Sequence, residues 1–106
     1  MEPEKLIRDG KVAVLISPGF GAGWSTWAGD GLDRFALFDR RLVEAAEAGV
    51  DDIEPLIKKL TGKEYFYCGG WRDVVVKWLP QGTAFYVDEY DGNESIRTTE
   101  DLTYVA

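Results

Sequence analysis

The chain has 106 residues, of which 45% are apolar and 29% charged, and its formal net charge is -7 at pH 7. This balance is typical of a globular protein and excludes a disordered chain, and the length predicts a single domain, 1–106, around one core. The acidic charge argues against extended contact with DNA or RNA, because a nucleic-acid binder needs a basic face to neutralise phosphates.

Histidine is absent from the sequence, and Cys68 is its only cysteine. An intramolecular disulfide is therefore impossible, and the usual zinc sites cannot be assembled from one chain. Without a histidine base, Cys68 is expected to be a small apolar residue and not a nucleophile. The acidic residues near the 88–94 turn lack EF-hand spacing and are expected to be solvated; they are Asp88, Glu89, Asp91 and Glu94. We therefore expect no metal, no other cofactor and no catalysis.

No apolar run approaches the ~20 residues that cross a bilayer. The N-terminal residues 1–5 are charged where a signal peptide would be apolar. We therefore expect no membrane contact and a cytoplasmic location.

In chain order, the first expected element is a buried strand at residues 11–17, where a continuous apolar run follows Lys11. Asp9-Gly10 is a turn signal before this strand. Residues 18–31 contain five glycines in fourteen positions and predict a long irregular loop. Long ordered loops in compact domains usually carry function.

Two short helices are expected next. The first spans 39–48, with Asp39 as the N-cap and Gly49 as the stop after it. The second spans 51–60, and Pro55 moves its start towards Glu54, because proline is favoured at the first helical position.

The rest of the chain is expected to be β. Strands are predicted at residues 64–68, 73–79, 83–90, 94–98 and 102–105, with a hairpin turn at 91–93. Lys77 shares one face of its strand with Val75 and Leu79, which indicates a second packing surface or a subunit contact. The order of elements predicts an α+β domain with a mostly antiparallel β-sheet and two short helices inserted after the first strand.

Two glycine-rich segments that also carry tryptophan form the predicted ligand site. The residues concerned are Gly19, Phe20, Gly21, Gly23, Trp24 and Trp27 in the first segment and Gly70, Trp71 and Arg72 in the second. Glycine turns expose backbone N–H groups that can hold an anion, an indole can stack on a planar ligand, and Arg72 can pair with a phosphate. The glycine spacing matches neither a dinucleotide-binding fingerprint nor a P-loop.

The alternative is that Trp24 and Trp27 cover the core and that Gly69-Gly70 is only a bulge. Substitution distinguishes the two interpretations. At a ligand site, Trp71→Ala and Arg72→Ala leave folding largely intact and weaken binding, whereas severe unfolding would mark either residue as structural.

Residues 16–27 (ISPGFGAGWSTW), 79–83 (LPQGT) and 89–96 (EYDGNESI) resemble segments of short bacteriophage and prophage proteins for which no activity is established. The likeness extends over the whole chain. It implies small size, action in the cytoplasm of an infected bacterium, and interference with host systems.

Together these observations predict a non-enzymatic protein that binds and sequesters a small anionic aromatic ligand, such as a nucleotide-derived signal. One small domain has limited pocket volume, so a homo-oligomer with sites near subunit boundaries is expected. The second hypothesis is an acidic protein-interaction inhibitor of a host enzyme or nucleic-acid-binding protein, with exposed aromatic hot spots. The third is a nucleotide-signal hydrolase that acts through carboxylates.

Overall fold

The computed structural model describes residues 3–19, 23–29, 31–62, 68–98 and 104–106. Within these ranges the strands are β1 (Ile7–Arg8), β2 (Lys11–Ile16), β3 (Val75–Pro80), β4 (Ala84–Tyr90), β5 (Asn93–Thr98) and β6 (Tyr104–Val105). The helices are α1 (Asp33–Phe38), α2 (Arg40–Glu47) and α3 (Glu54–Thr61), with single 3-10 turns at Ser25–Trp27 and Trp71–Asp73. The predicted α+β class is confirmed.

The described strands form two antiparallel sheets of three strands each, in the orders β1-β2-β3 and β5-β4-β6. In the first sheet, Val14 of β2 lies opposite Lys77 of β3. In the second, Val87 of β4 lies opposite Ile96 of β5. The antiparallel arrangement agrees with the prediction. The division into two sheets is a finding of the structure, because strand-forming patterns do not specify pairing partners.

Strand β2 is buried on both of its faces. On one face, Ala13 and Leu15 belong to a cluster with residues of the helices, among them Phe35, Leu42, Val43 and Ile57. On the other face, Val12, Val14 and Ile16 pack with Leu37, Phe38, Phe85 and Ala106. The first sheet therefore lies between helices α2 and α3 on one side and the second sheet on the other, and β2 divides the expected single core into two clusters.

Both predicted helices are confirmed, and their ends follow the sequence signals. Asp39 is the N-cap of α2, and its carboxylate accepts a hydrogen bond from the backbone N–H of Arg41 at 2.9 Å. Gly49 follows α2 with a φ of 74°, in the left-handed region that favours glycine. Pro55 lies in the first turn of α3, where its missing N–H leaves no helical bond unmade.

Helix α1 lies where the sequence indicates no element. Its residues 35–38 are all apolar and buried. The sequence there lacks the alternation of polar and apolar residues that indicates a helix. The strand expected at 64–68 lies outside the described residues except for Cys68, which is not in a strand. Residues 102 and 103 of the last predicted strand also lie outside them. None of the described helices is both long and apolar enough to span a bilayer.

Candidate functional site

The two segments that carry glycine and tryptophan meet in space. The indole rings of Trp24 and Trp71 lie with their centroids 5.4 Å apart at a tilt of 53°. The backbones also touch, because a Cβ added at Gly70 would overlap the carbonyl oxygen of Gly23. Only glycine fits at position 70, and the space between the two segments is filled by their own atoms.

Both indoles belong to the core cluster that Ala13 and Leu15 form with the helices. Trp24 is fully buried and donates its Nε1–H to the carbonyl oxygen of Ala36 at 2.7 Å. Trp71 is 6% exposed and donates its Nε1–H to the carbonyl oxygen of Val50 at 2.7 Å. The polar handle of each ring is thus satisfied within the chain. This burial favours the packing interpretation for these two residues, and we now expect Trp71→Ala to destabilise the fold.

The first segment holds an anion that belongs to the chain itself. Glu94 of β5 is 1% exposed, and its Oε1 accepts a hydrogen bond from the backbone N–H of Ser17 at 2.9 Å. Its Oε2 accepts from the backbone N–H groups of Trp24 at 2.8 Å and Thr26 at 3.1 Å, and from the Thr26 hydroxyl. Backbone N–H groups that converge in this way form an anion-binding nest.

The position of Glu94 corrects one expectation. This carboxylate, expected to be solvated at the hairpin, is buried. The signal for burial is strand alternation, because Glu94 and the half-buried Ile96 share one face of β5. The nest donors at Ser17, Trp24 and Thr26 flank residues 19–23, the stretch whose N–H groups were expected to bind an external anion.

The remaining predicted site residues have separate environments. Gly19 lies against Asp73, whose Oδ2 would be 2.7 Å from an added Cβ, so a carboxylate borders this position. Trp27 is 40% exposed and donates its Nε1–H to Oε1 of Glu89 at 3.1 Å. Arg72 is exposed. Phe20 and Gly21 lie outside the described residues.

A cavity of 260 Å³ beside the second segment is lined by Ile53, Cys68, Gly69, Trp71 and Arg72 together with the carboxylate residues Asp51, Asp52 and Glu54. Three carboxylates against one guanidinium disfavour an anionic ligand here. Burial raises the pKa of the Cys68 thiol from 9.0 to about 11, and Glu54 and Asp52 add to this increase. The thiol is therefore protonated at neutral pH and is a poor nucleophile.

A groove of 530 Å³ lies between β3 and β5 and has a different character. Its apolar lining is Ile16, Pro18, Trp78, Leu79 and Ile96, and its polar lining is Lys77, Asn93, Glu94, Ser95 and Thr98. The carboxylate of Glu94 is buried and bonded to the N–H groups of the nest. Within the described part of the chain, no hydrogen bond or ion pair engages the ammonium group of Lys77. Among the residues that the structure describes, the groove therefore combines an apolar floor with the ammonium group of Lys77.

The sequence signal for this groove is the pattern of β3. On the face predicted to be a second packing surface or a subunit contact, Leu79 packs against the second core cluster, whereas Val75 and Lys77 are exposed. The second sheet covers β2 and leaves Lys77 exposed. The groove lies where this cover ends.

The described residues contain no group of three or more Cys, Asp or Glu side chains arranged to hold a metal ion. No protein-family model matches the chain, and no curated protein or solved structure matches it either.

Proposed function

We propose that this chain is a non-enzymatic binding protein that holds a small amphipathic anion in the groove between β3 and β5. The observation that carries the proposal is the ammonium group of Lys77 beside an apolar lining, with no hydrogen bond or ion pair to it from the described residues. An apolar ligand body would replace water along Ile16, Leu79 and Ile96, and an anionic group on the ligand would pair with Lys77.

The size of the groove supports a small ligand. Sites for small molecules usually enclose roughly 300–1,000 Å³ and combine an apolar lining with a few polar groups. The groove has 530 Å³ and this mixture of linings. The apolar lining gains most from a flat apolar body, and the single cation matches one anionic group better than a polyphosphate.

This proposal keeps the predicted ligand class and changes its location. The glycine and tryptophan segments use their N–H groups and indoles within the fold, through Glu94, Ala36 and Val50. The groove offers the cation and the apolar surface that an aromatic anion needs. In an infected bacterium, such binding would act by sequestration and would leave the ligand intact.

The test uses anilinonaphthalene sulfonate, a flat apolar anion whose fluorescence reports binding. Lys77→Glu is expected to weaken its binding about tenfold, because an attractive charge becomes a repulsive one. The matched control is Lys59→Glu, which reverses an exposed charge on α3, outside the groove lining. Equal dye affinity in the two variants would overturn the proposal.

A second candidate function is protein–protein interaction, including self-association, through the outer face of the second sheet. Tyr86 and Tyr90 are 39% and 78% exposed there, and Arg97 lies opposite Tyr86. Exposed tyrosine is typical of interaction hot spots. Tyr90→Ser, compared with wild type by analytical ultracentrifugation, tests whether this face supports self-association. A variant that sediments like the wild type would remove this face from the expected homo-oligomer.

A further inference from the structure

Beyond the small anion of the proposed function, we propose that the same groove also receives an extended peptide segment, which adds to the outward edge of β3. The segment carries an acidic side chain between two apolar ones at alternate positions. Three features lead to this inference: the hydrogen-bonding direction of β3, the edge position of both strands at the groove, and the side-chain pattern around Lys77.

The hydrogen-bonding direction of β3 follows from its register. Just beyond the ladder, the N–H of Gln81 donates to the carbonyl oxygen of Gly10 at 2.9 Å, so these two residues form a hydrogen-bonded pair. Such pairs alternate along an antiparallel ladder. The next pair, Lys11 with Pro80, is therefore not hydrogen-bonded, and the pairs after it alternate, starting with a hydrogen-bonded one. The residues of β3 that bond to β2 are thus 75, 77 and 79. The main-chain groups of Val76 and Trp78 point away from β2.

The outward edge of β3 has no strand partner within the described part of the chain, because β3 is the last strand of its sheet. Strand β5 is likewise the last strand of the second sheet. The outward direction of alternate β5 residues is visible at Glu94, whose N–H donates to the carbonyl oxygen of Ser17 at 2.8 Å. Both strands that border the groove are therefore edge strands, but Ser17 already engages the β5 edge at Glu94. The outward edge of β3 is the one that offers a template for an added strand.

The side chains of β3 define the complementary peptide. Val75, Lys77 and Leu79 alternate along one face, so an added strand places every second side chain beside them. The backbone of Lys77 bonds to β2. Opposite an antiparallel added strand, Lys77 therefore occupies a non-hydrogen-bonded pair, in which opposing side chains are closest. A carboxylate opposite Lys77, with apolar side chains opposite Val75 and Leu79, matches the charge of Lys77 and the apolar side chains on this face of β3.

The probe is the peptide acetyl-Val-Thr-Glu-Thr-Val-amide, studied with the full chain by NMR. At saturation, hydrogen exchange of the Val76 and Trp78 amides is expected to slow. The amide of Lys77, which already bonds to β2, serves as an internal control. Unchanged exchange at Val76 and Trp78 would overturn the inference.

Two altered peptides separate main-chain pairing from charge. N-methylation of alternate amides removes the strand bonds and is expected to abolish binding. Replacing the glutamate by lysine is expected to weaken binding about fivefold, the upper range for one cross-strand ion pair. With Lys77→Glu, the preference is expected to reverse in favour of the lysine peptide. Binding of the methylated peptide equal to that of the parent would show that strand addition is not the mode of recognition.

The dye experiment keeps the two proposals distinguishable. If the dye binds in a Lys77-dependent way and the peptide does not bind, the peptide inference is wrong and the proposed function stands. If neither binds, both are wrong.

Discussion

The carboxylate of Glu94 lies 2.8 Å from the backbone nitrogen of Trp24, a residue seventy positions earlier in the chain. The same side chain also accepts the N–H groups of Ser17 and Thr26. This contact joins the second sheet to the loop that follows β2. A buried anion without hydrogen-bond donors would be costly, and here each carboxylate oxygen has at least one N–H partner.

Glu94→Gln is expected to lower the free energy of unfolding by about 2–4 kcal/mol, because it removes a charge that several donors share and turns an amide NH₂ towards N–H groups. Urea denaturation measures the change. Glu44→Gln, on the exposed side of α2, is the control and should have little effect. Equal stability of the two variants would contradict the role assigned to Glu94.

Glu94→Ala leaves the nest donors of Ser17, Trp24 and Thr26 without their acceptor and opens space for a small anion. Acetate is expected to raise the melting temperature of this variant, because it binds the native state and not the unfolded chain. Chloride at equal ionic strength is the control for salt effects, and the wild type should not respond specifically to acetate. Identical responses of variant and wild type would argue against a preformed carboxylate site.

Gly70→Ala is expected to destabilise the protein by about 3 kcal/mol, because the new methyl group overlaps the carbonyl oxygen of Gly23 and forces the two segments apart. Gly82→Ala provides the comparison. Its φ of 90° strains a non-glycine residue, but no atom lies within 4 Å of the added Cβ, and a loss of about 1 kcal/mol is expected. Thermal unfolding ranks the two, and the reverse order would be inconsistent with close contact at Gly70.

Trp71→Ala is expected to cost about 3–5 kcal/mol, as for other buried tryptophans, because it removes core contacts and the hydrogen bond to Val50. Trp27→Ala should cost less, since Trp27 is 40% exposed. Chemical denaturation of both variants, monitored by circular dichroism, tests this difference. A Trp71 variant that folds as stably as the wild type would restore this residue as a ligand contact.

Cys68 is expected to react slowly with iodoacetamide at neutral pH and faster as pH rises towards 11. Its folded pKa of about 11 lies above the ordinary value of 9.0, so the native state favours the protonated thiol. The stability from this preference is present below pH 9 and is lost as pH rises towards 11. Mass spectrometry of alkylation in native buffer and in urea provides the measurement. Equal rates in the two would contradict the raised pKa.

Local signals in the sequence predict those parts of the fold that depend on neighbouring residues. Asp39 and Pro55 indicate the starts of α2 and α3, because capping and proline geometry act within one helical turn. The Asp91-Gly92 pair predicts the hairpin turn after β4 in the same way. The structure has this turn, with φ values of 52° at Asp91 and 84° at Gly92.

Long-range contacts are the part that the sequence does not show. A carboxylate beside a turn usually faces water, and nothing near Glu94 in the chain reveals that its donors lie in a distant loop. The glycine and tryptophan segments meet, as expected, but whether such a meeting leaves a hollow depends on packing. At Gly23 and Gly70 the backbones touch. The groove beside Lys77 likewise depends on how two sheets are placed, which strand patterns do not specify.

The burial of β2 on both faces has a consequence for unfolding. Its inner residues, such as Leu15 and Val14, belong to opposite clusters, so the helices and the second sheet share a single wall. If either layer detached, one face of that wall would be exposed to water and the support of the other layer would weaken. The two halves of the molecule are therefore expected to melt together, in one cooperative transition.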